Sequence, residues 1–173
     1  LYTSGTTGQP KGAELTHLNL WSNVITTYNI HTPMLDFTDG EQKTVLITLP
    51  LFHTTGQTVQ MNTNIYGGNR VVLLPRFDPK ATLDTMVAEK VNFWVGVPTM
   101  YWALLKYADE SGYDISRVKE NMKVCTSGGA PMPVEVMKEF QEKFGVRVLE
   151  GYGLSETSPL ATFSHFEKPS KPG

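Results

Sequence analysis

The densest chemistry in the chain lies at residues 1–12, Leu-Tyr-Thr-Ser-Gly-Thr-Thr-Gly-Gln-Pro-Lys-Gly. Four hydroxyl side chains (Thr3, Ser4, Thr6, Thr7), three glycines and one lysine follow one another there, with almost no apolar content after Tyr2. Such a segment cannot build a core. Glycines let backbone N–H groups close on an anion, hydroxyls add donors, and Lys11 adds a point charge; together they make a phosphate cradle. The plainer alternative is a flexible polar linker, and Pro10 and Lys11 set inside the run speak against it. A Walker-type loop ends in Gly-Lys-Ser/Thr. Here Lys11 is preceded by Pro10 and followed by Gly12, so the magnesium-binding hydroxyl of that motif is missing.

Three other stretches carry candidate groups. Residues 150–157, Glu-Gly-Tyr-Gly-Leu-Ser-Glu-Thr, place an aromatic, two carboxylates and the hydroxyls of Ser155 and Thr157 among two glycines. Tyr152 between glycines can lay its ring flat on a planar base. Glu156 offers a hard oxygen to Mg²⁺, which takes one or two carboxylates plus substrate phosphates, and Thr157 offers a donor to phosphate. Standing alone, the segment would read as an ordinary loop with Glu156 a solvated charge. Residues 127–131, Ser-Gly-Gly-Ala-Pro, read as a tight strand-to-helix turn or as a ligand wall. Residues 50–56, Pro-Leu-Phe-His-Thr-Thr-Gly, set His53 just after a strand, either as a polar loop residue or beside a substrate. His17 reads as structural, and His31 and His165 as surface residues.

The elements that must position these groups alternate along the chain. Thr16 is a plausible N-cap for a helix whose inward face is Leu18, Trp21, Val24, Ile25 and Tyr28, followed by a polar connection over 33–43. Strands are predicted at 44–49, 70–74, 92–96, 122–126 and 146–149. Helices are predicted over 57–66, after Asp78-Pro79, from Pro98 with Tyr101, Leu104, Leu105 and Ala108 inward, and from Pro133 up to Gly145. This alternation predicts an α/β fold with a mainly parallel sheet flanked by helices on both faces. The segments 50–56, 127–131 and 150–157 each follow a strand, and ligands of such sheets bind outside the carboxyl ends of the strands. Three strand ends therefore point at one crevice.

Composition narrows the function classes. A net charge of −2 gives no basic footprint for nucleic acid. No apolar run reaches the length of a membrane span. A single cysteine, Cys125, excludes an internal disulfide and fits a reducing compartment, so a cytoplasmic location is expected. There is no zinc-ligand spacing and no Gly-x-Ser-x-Gly elbow.

Residues 2–12 resemble the phosphate-binding signature of the adenylate-forming superfamily, which comprises acyl- and aryl-CoA synthetases, luciferases and peptide-synthetase adenylation domains. Residues 49–56, 127–131 and 151–157 match three further segments of that family, in its order, in the form found in acyl-CoA ligases. The resemblance implies ATP-dependent activation of a carboxylic acid, release of pyrophosphate, and transfer of the acyl group to coenzyme A with the aid of Mg²⁺. It implies that Thr3, Ser4, Gly5, Thr6, Thr7, Gly8 and Lys11 hold the β- and γ-phosphates. Gly128, Gly129, Ala130 and Pro131 would wall the adenine and acyl pocket. Glu150, Gly151, Tyr152 and Gly153 would form the adenine site, Thr157 would meet the α-phosphate, Glu156 would bind Mg²⁺, and His53 would lie beside the carboxylate.

The Pro-Leu-Phe-His loop and residues 74–78 look most like medium- and long-chain fatty acyl-CoA ligases, with an aryl or coumarate-type acid as the alternative. A non-catalytic nucleotide-binding relative is a further reading, and a protein-interaction domain a third. No nucleic acid or transmembrane segment is implied, a peripheral membrane contact is allowed, and the oligomeric state is left open. The family's ribose-binding Asp, its hinge and its C-terminal domain with the adenylation lysine would fall after residue 173. Residues 1–173 are therefore expected to be a partial ATP- and acyl-binding subdomain, inactive alone.

Overall fold

The computed structural model describes residues 1–3, 8–35 and 41–168. Its frame is a six-stranded sheet in the order β4-β3-β5-β6-β7-β8. The strands are β3 (Thr44–Ile47), β4 (Arg70–Leu73), β5 (Phe93–Gly96), β6 (Val124–Gly128), β7 (Arg147–Gly153) and β8 (Leu160–Phe163). All neighbours run parallel except β8, which pairs antiparallel with β7. The expected α/β class with a mainly parallel sheet is what the chain adopts.

Successive side chains on a strand leave opposite faces, and both faces here are covered. On one side, Leu46, Trp94, Cys125 and Val148 pack against α3 (Pro79–Ala88), α4 (Pro98–Ser111) and α6 (Val134–Phe144). On the other, Val45, Phe93, Val95, Val124 and Leu149 meet Met34 and Leu35 of α1 (His17–Leu35) and Val59. Aromatic packing stiffens the first layer: Phe140 and Phe144 stack with centroids 4.1 Å apart, and Tyr101 donates to the Thr126 carbonyl at 2.6 Å. Asp78 caps α3 by accepting from the Ala81 amide at 2.8 Å, with Pro79 at the first helical position, as expected. The inward face expected of α4 is buried residue for residue.

Four local expectations are corrected. Thr16 does cap α1, accepting from the Asn19 amide at 3.1 Å. The buried stripe, however, is Asn23, Val24, Thr27, His31, Met34 and Leu35, while Leu18 and Trp21 are exposed. The helix also continues through Pro33 to Leu35. A proline near a helix end removes one hydrogen bond, and here the proline and Asn29, whose carbonyl it would free, are both exposed. The helix expected over 57–66 opens instead as a π-helix, Thr55–Asn62, before passing into α2 (Thr63–Tyr66). Its wide turns are fixed by side chains reaching back: Thr63 Oγ1 donates to the Thr58 carbonyl at 2.8 Å and Asn64 Nδ2 to that of Gln60 at 2.7 Å.

Finally, Glu150 to Gly153 form strand rather than loop, because β7 pairs with β6 as far as Gly151 and with β8 from Gly151 to Gly153. The segment Ser155–Thr157 that follows is a single 3₁₀ turn, and β8 was not foreseen. A short helix, α5 (Ser116–Lys119), lies between α4 and β6.

Candidate functional site

Residues 1–12 begin and end as a hairpin. β1 (Tyr2–Thr3) pairs antiparallel with β2 (Lys11–Gly12), Tyr2 opposite Gly12 and Thr3 opposite Lys11, in a two-stranded sheet separate from the main one. Thr3 Oγ1 donates to the Lys11 carbonyl at 3.4 Å. Gly8, in the left-handed region at φ 80°, and Lys11 are exposed. Ser4, Gly5, Thr6 and Thr7 lie outside the described residues. The two arms are thus paired with each other, Lys11 on the second of them.

The other three segments meet at the carboxyl ends of the parallel strands. Three adjoining cavities lie there. The largest, about 650 Å³, has Gly129, Ala130, Pro131, Glu150, Gly151 and Tyr152 among its walls. A second, about 160 Å³, is bounded by His53, Gly128, Gly129, Gly151, Tyr152 and Gly153 among others. The third, about 330 Å³, is mostly apolar and takes in Leu49, Phe52, His53, Val95, Val97 and Met100. Gly128 and Gly151 face each other across β6 and β7. A Cβ on Gly128 would come within 2.9 Å of the Gly151 carbonyl oxygen, so this part of the floor must be bare backbone. Tyr152 stands beside it with 63% of its surface exposed, a ring available to a planar ligand.

His53 belongs to both the second and the third cavity. Its amide donates to the Pro50 carbonyl at 3.1 Å and its carbonyl accepts from the Gln57 amide at 3.0 Å, so the residue is pinned between strand end and π-helix. The Thr55 amide donates to His53 Nδ1 at 3.1 Å. With Nδ1 accepting, the neutral ring carries its proton on Nε2. The ring therefore presents an N–H donor, the group that fits a carboxylate or phosphate oxygen.

Glu156 and Thr157 sit on the 3₁₀ turn beyond β7 and do not belong to the walls named above. Glu156 is exposed. Thr157 Oγ1 accepts from the Leu154 amide at 3.0 Å and lies 2.9 Å from the Leu154 carbonyl oxygen, to which it can donate. One exposed carboxylate beside a hydroxyl suits a hard cation that takes its remaining ligands from phosphates and water. No cluster of three or more His, Cys, Asp or Glu able to hold a metal occurs among the described residues.

Two residues that hold this site escaped the sequence reading. Asn23 of α1, 9% exposed, donates through Nδ2 to the carbonyls of Thr157 at 3.1 Å and Leu160 at 2.8 Å, and accepts at Oδ1 from the Leu160 amide at 3.3 Å. Gln60 of the π-helix, fully buried, bridges the ends of β3 and β5. A polar residue on a helix face gives no signal of burial in hydropathy, so neither stood out. His31, read as a surface residue, is instead 1% exposed between Phe93 and Phe163. Burial drives its pKa down to about 3, so its ring is neutral, and neither ring nitrogen has a protein partner.

Comparisons with known proteins identify the family. The family model described as AMP-binding enzyme matches residues 1–173. A long-chain-fatty-acid–CoA ligase of Bacillus subtilis is 41% identical over 172 residues, 99% of this chain and 29% of that protein. A feruloyl-CoA synthase of an Amycolatopsis species is 33% identical over 159 residues, 92% of this chain and 30% of that protein. The crystal structure of ATP-bound MatB from Rhodopseudomonas palustris superposes with a TM-score of 0.81 at 34% identity, covering all of this chain and 32% of that one. The chain thus spans less than a third of the length of these relatives. With a matching model along its whole length and acyl-CoA ligases among its relatives, the chain belongs to the AMP-binding enzyme family of adenylate-forming proteins.

Proposed function

We propose that the protein activates a medium- or long-chain fatty acid with ATP and passes the acyl group to coenzyme A. The observation that carries the reading is the position of His53, shared between an apolar cavity and a cavity floored by glycines beside Tyr152. An alkyl chain in the first would bring its carboxylate to His53, with the nucleotide on the glycine floor. The 41% identity to a long-chain-fatty-acid–CoA ligase supports the same acid class.

A carboxylate oxygen attacks the α-phosphorus of ATP, the bond to the bridging oxygen breaks, and pyrophosphate leaves. The sulfur of coenzyme A then attacks the acyl carbon; the carbon–oxygen bond to AMP breaks and the thiol proton goes to solvent. In this reading His53 Nε2–H orients the attacking carboxylate. Gly128, Gly129, Ala130, Pro131, Glu150, Gly151 and Gly153 shape the nucleotide floor, and Tyr152 stacks on the base. Thr157 turns its hydroxyl proton from the Leu154 carbonyl to the α-phosphate. Thr3, Gly8 and Lys11, with Ser4 to Thr7 between them, gather the β- and γ-phosphates. Glu156 would hold Mg²⁺, which neutralises phosphate charge when bound. Preorganised donors at a phosphoryl centre act mainly by positioning and charge stabilisation.

A second acid class has one observation in its favour, the 33% identity to a feruloyl-CoA synthase. The test is acid-dependent ATP–pyrophosphate exchange and thioester formation by the full-length protein over a chain-length series and a set of hydroxycinnamates. Preference for fatty acids is expected; preference for aromatic acids would overturn the fatty-acyl assignment. Residues 1–173 alone, less than a third of the relatives' length, are expected to show no exchange.

A further inference from the structure

Asn23 stands apart from every cavity wall described above, yet it makes three hydrogen bonds to a turn more than 130 residues away. Its helix begins at His17, a few residues after β2 ends at Gly12. The turn it grips carries Glu156 and Thr157 on one side and feeds β8 on the other. Both amide atoms are used: Nδ2 spans the carbonyls of Thr157 and Leu160, and Oδ1 takes the Leu160 amide. Three hydrogen bonds to backbone groups hold the side chain in place and tie the turn to α1. The turn is short and its two candidate ligands are adjacent, so a shift at the Thr157 carbonyl moves both.

We propose that Asn23 is a positioning residue for nucleotide and cation binding: it fixes the Glu156–Thr157 turn relative to α1. This inference rests on the proposed ATP site and adds to it a residue from outside. Its logic is that of residues behind a ligand set, whose loss weakens metal or substrate binding roughly 10- to 100-fold without touching the ligand.

The test uses the full-length protein with Asn23→Ala and Asn23→Asp. Asp keeps the acceptor for the Leu160 amide but sets an oxygen against both carbonyls. Ser22→Ala, at the exposed neighbouring position, serves as the control. MgATP affinity is read by calorimetry, KM for MgATP and for the acid by steady-state kinetics, and Mg²⁺ dependence by titration. Both variants should bind MgATP about tenfold more weakly and need more Mg²⁺ for half-maximal rate, with KM for the acid unchanged. A merely structural role would lower thermal stability and leave these affinities at the wild-type value, and that result overturns the proposal.

If both variants fail to fold, hydrogen exchange in the wild type decides. MgATP should increase protection of the Leu160 amide, and unchanged protection overturns the coupling. A wild type that binds MgATP but shows no acid-dependent exchange sinks the acid-activation reading and leaves the Asn23 comparison intact.

Discussion

Gln60 and Val95 are joined in the buried heart of the site: the Gln60 side-chain amide donates to the Val95 carbonyl at 2.9 Å. The same side chain accepts from the Leu49 amide at 3.3 Å, so one residue satisfies the backbone where two adjacent strands end. Gln60→Leu would leave a buried donor and a buried acceptor unpaired, each costing about 1–3 kcal/mol. The expected outcome is a loss of about 3 kcal/mol, seen as a fall in Tm of roughly 10 °C. Equal melting temperatures would show that these backbone groups find other partners.

His53 makes a contrasting prediction. It is exposed, and its backbone hydrogen bonds are independent of its ring. His53→Ala in the full-length protein is expected to change stability by no more than about 0.5 kcal/mol. It should lower kcat roughly a hundredfold, the scale of losing one preorganised donor. His53→Asn, which retains an N–H donor, should recover part of the rate. Melting curves and initial rates together check both halves.

The buried His31 ring gives a signed pH dependence. Burial lowers its pKa from the ordinary 6.5 to about 3 in the folded chain. Between those values the unfolded chain binds the proton and the folded chain does not, so stability is complete above pH 6.5 and declines as pH falls. Each pH unit below 6.5 should cost about 1.4 kcal/mol from this residue. His31→Phe removes the titrating group from a space already flanked by Phe93 and Phe163. The wild-type-minus-variant difference in unfolding free energy, measured by urea titration from pH 7 to pH 4, should slope by that amount; parallel curves would refute it.

Gly153 lies against the Pro159 carbonyl where β7 and β8 shift register, and a Cβ there would overlap that oxygen. Gly153→Ala should therefore push the Pro159 segment outward, at a cost of about 1–3 kcal/mol. Because Thr157 shares this turn, weaker nucleotide binding should accompany the lower Tm, measured on one preparation by calorimetry and melting.

What the sequence made legible follows from which forces have a local signature. The α4 stripe, the Asp78-Pro79 start and the places of the five parallel strands along the chain are written in hydrophobic period and helix punctuation, and all three hold. The α1 register is not so written, because its inward stripe includes Asn23, Thr27 and His31, while Leu18 and Trp21 face out. Gly151 and Gly153 read as loop formers; only pairing with neighbouring strands, Gly151 on both flanks and Gly153 with β8 alone, a tertiary fact, makes them strand. For the site, the motifs located His53, the glycine floor and Tyr152, which the fold brings to one crevice. The supports behind them, Asn23 and Gln60, are ordinary amides whose meaning comes only from backbone groups far along the chain.

Cys125 is the second residue of β6, 1% exposed, and burial raises its thiol pKa well above the ordinary range. The native thiol is therefore neither reachable nor ionised, and reagents that need a thiolate must wait for the sheet to part. Cys125 is the one cysteine of residues 1–173, so labelling of this sulfur under native conditions, read on the peptide that carries it, becomes a stopwatch for the opening of the central strands. Its rate, followed by mass spectrometry, should slow when nucleotide is added if ligand at the strand ends also clamps the strands behind them.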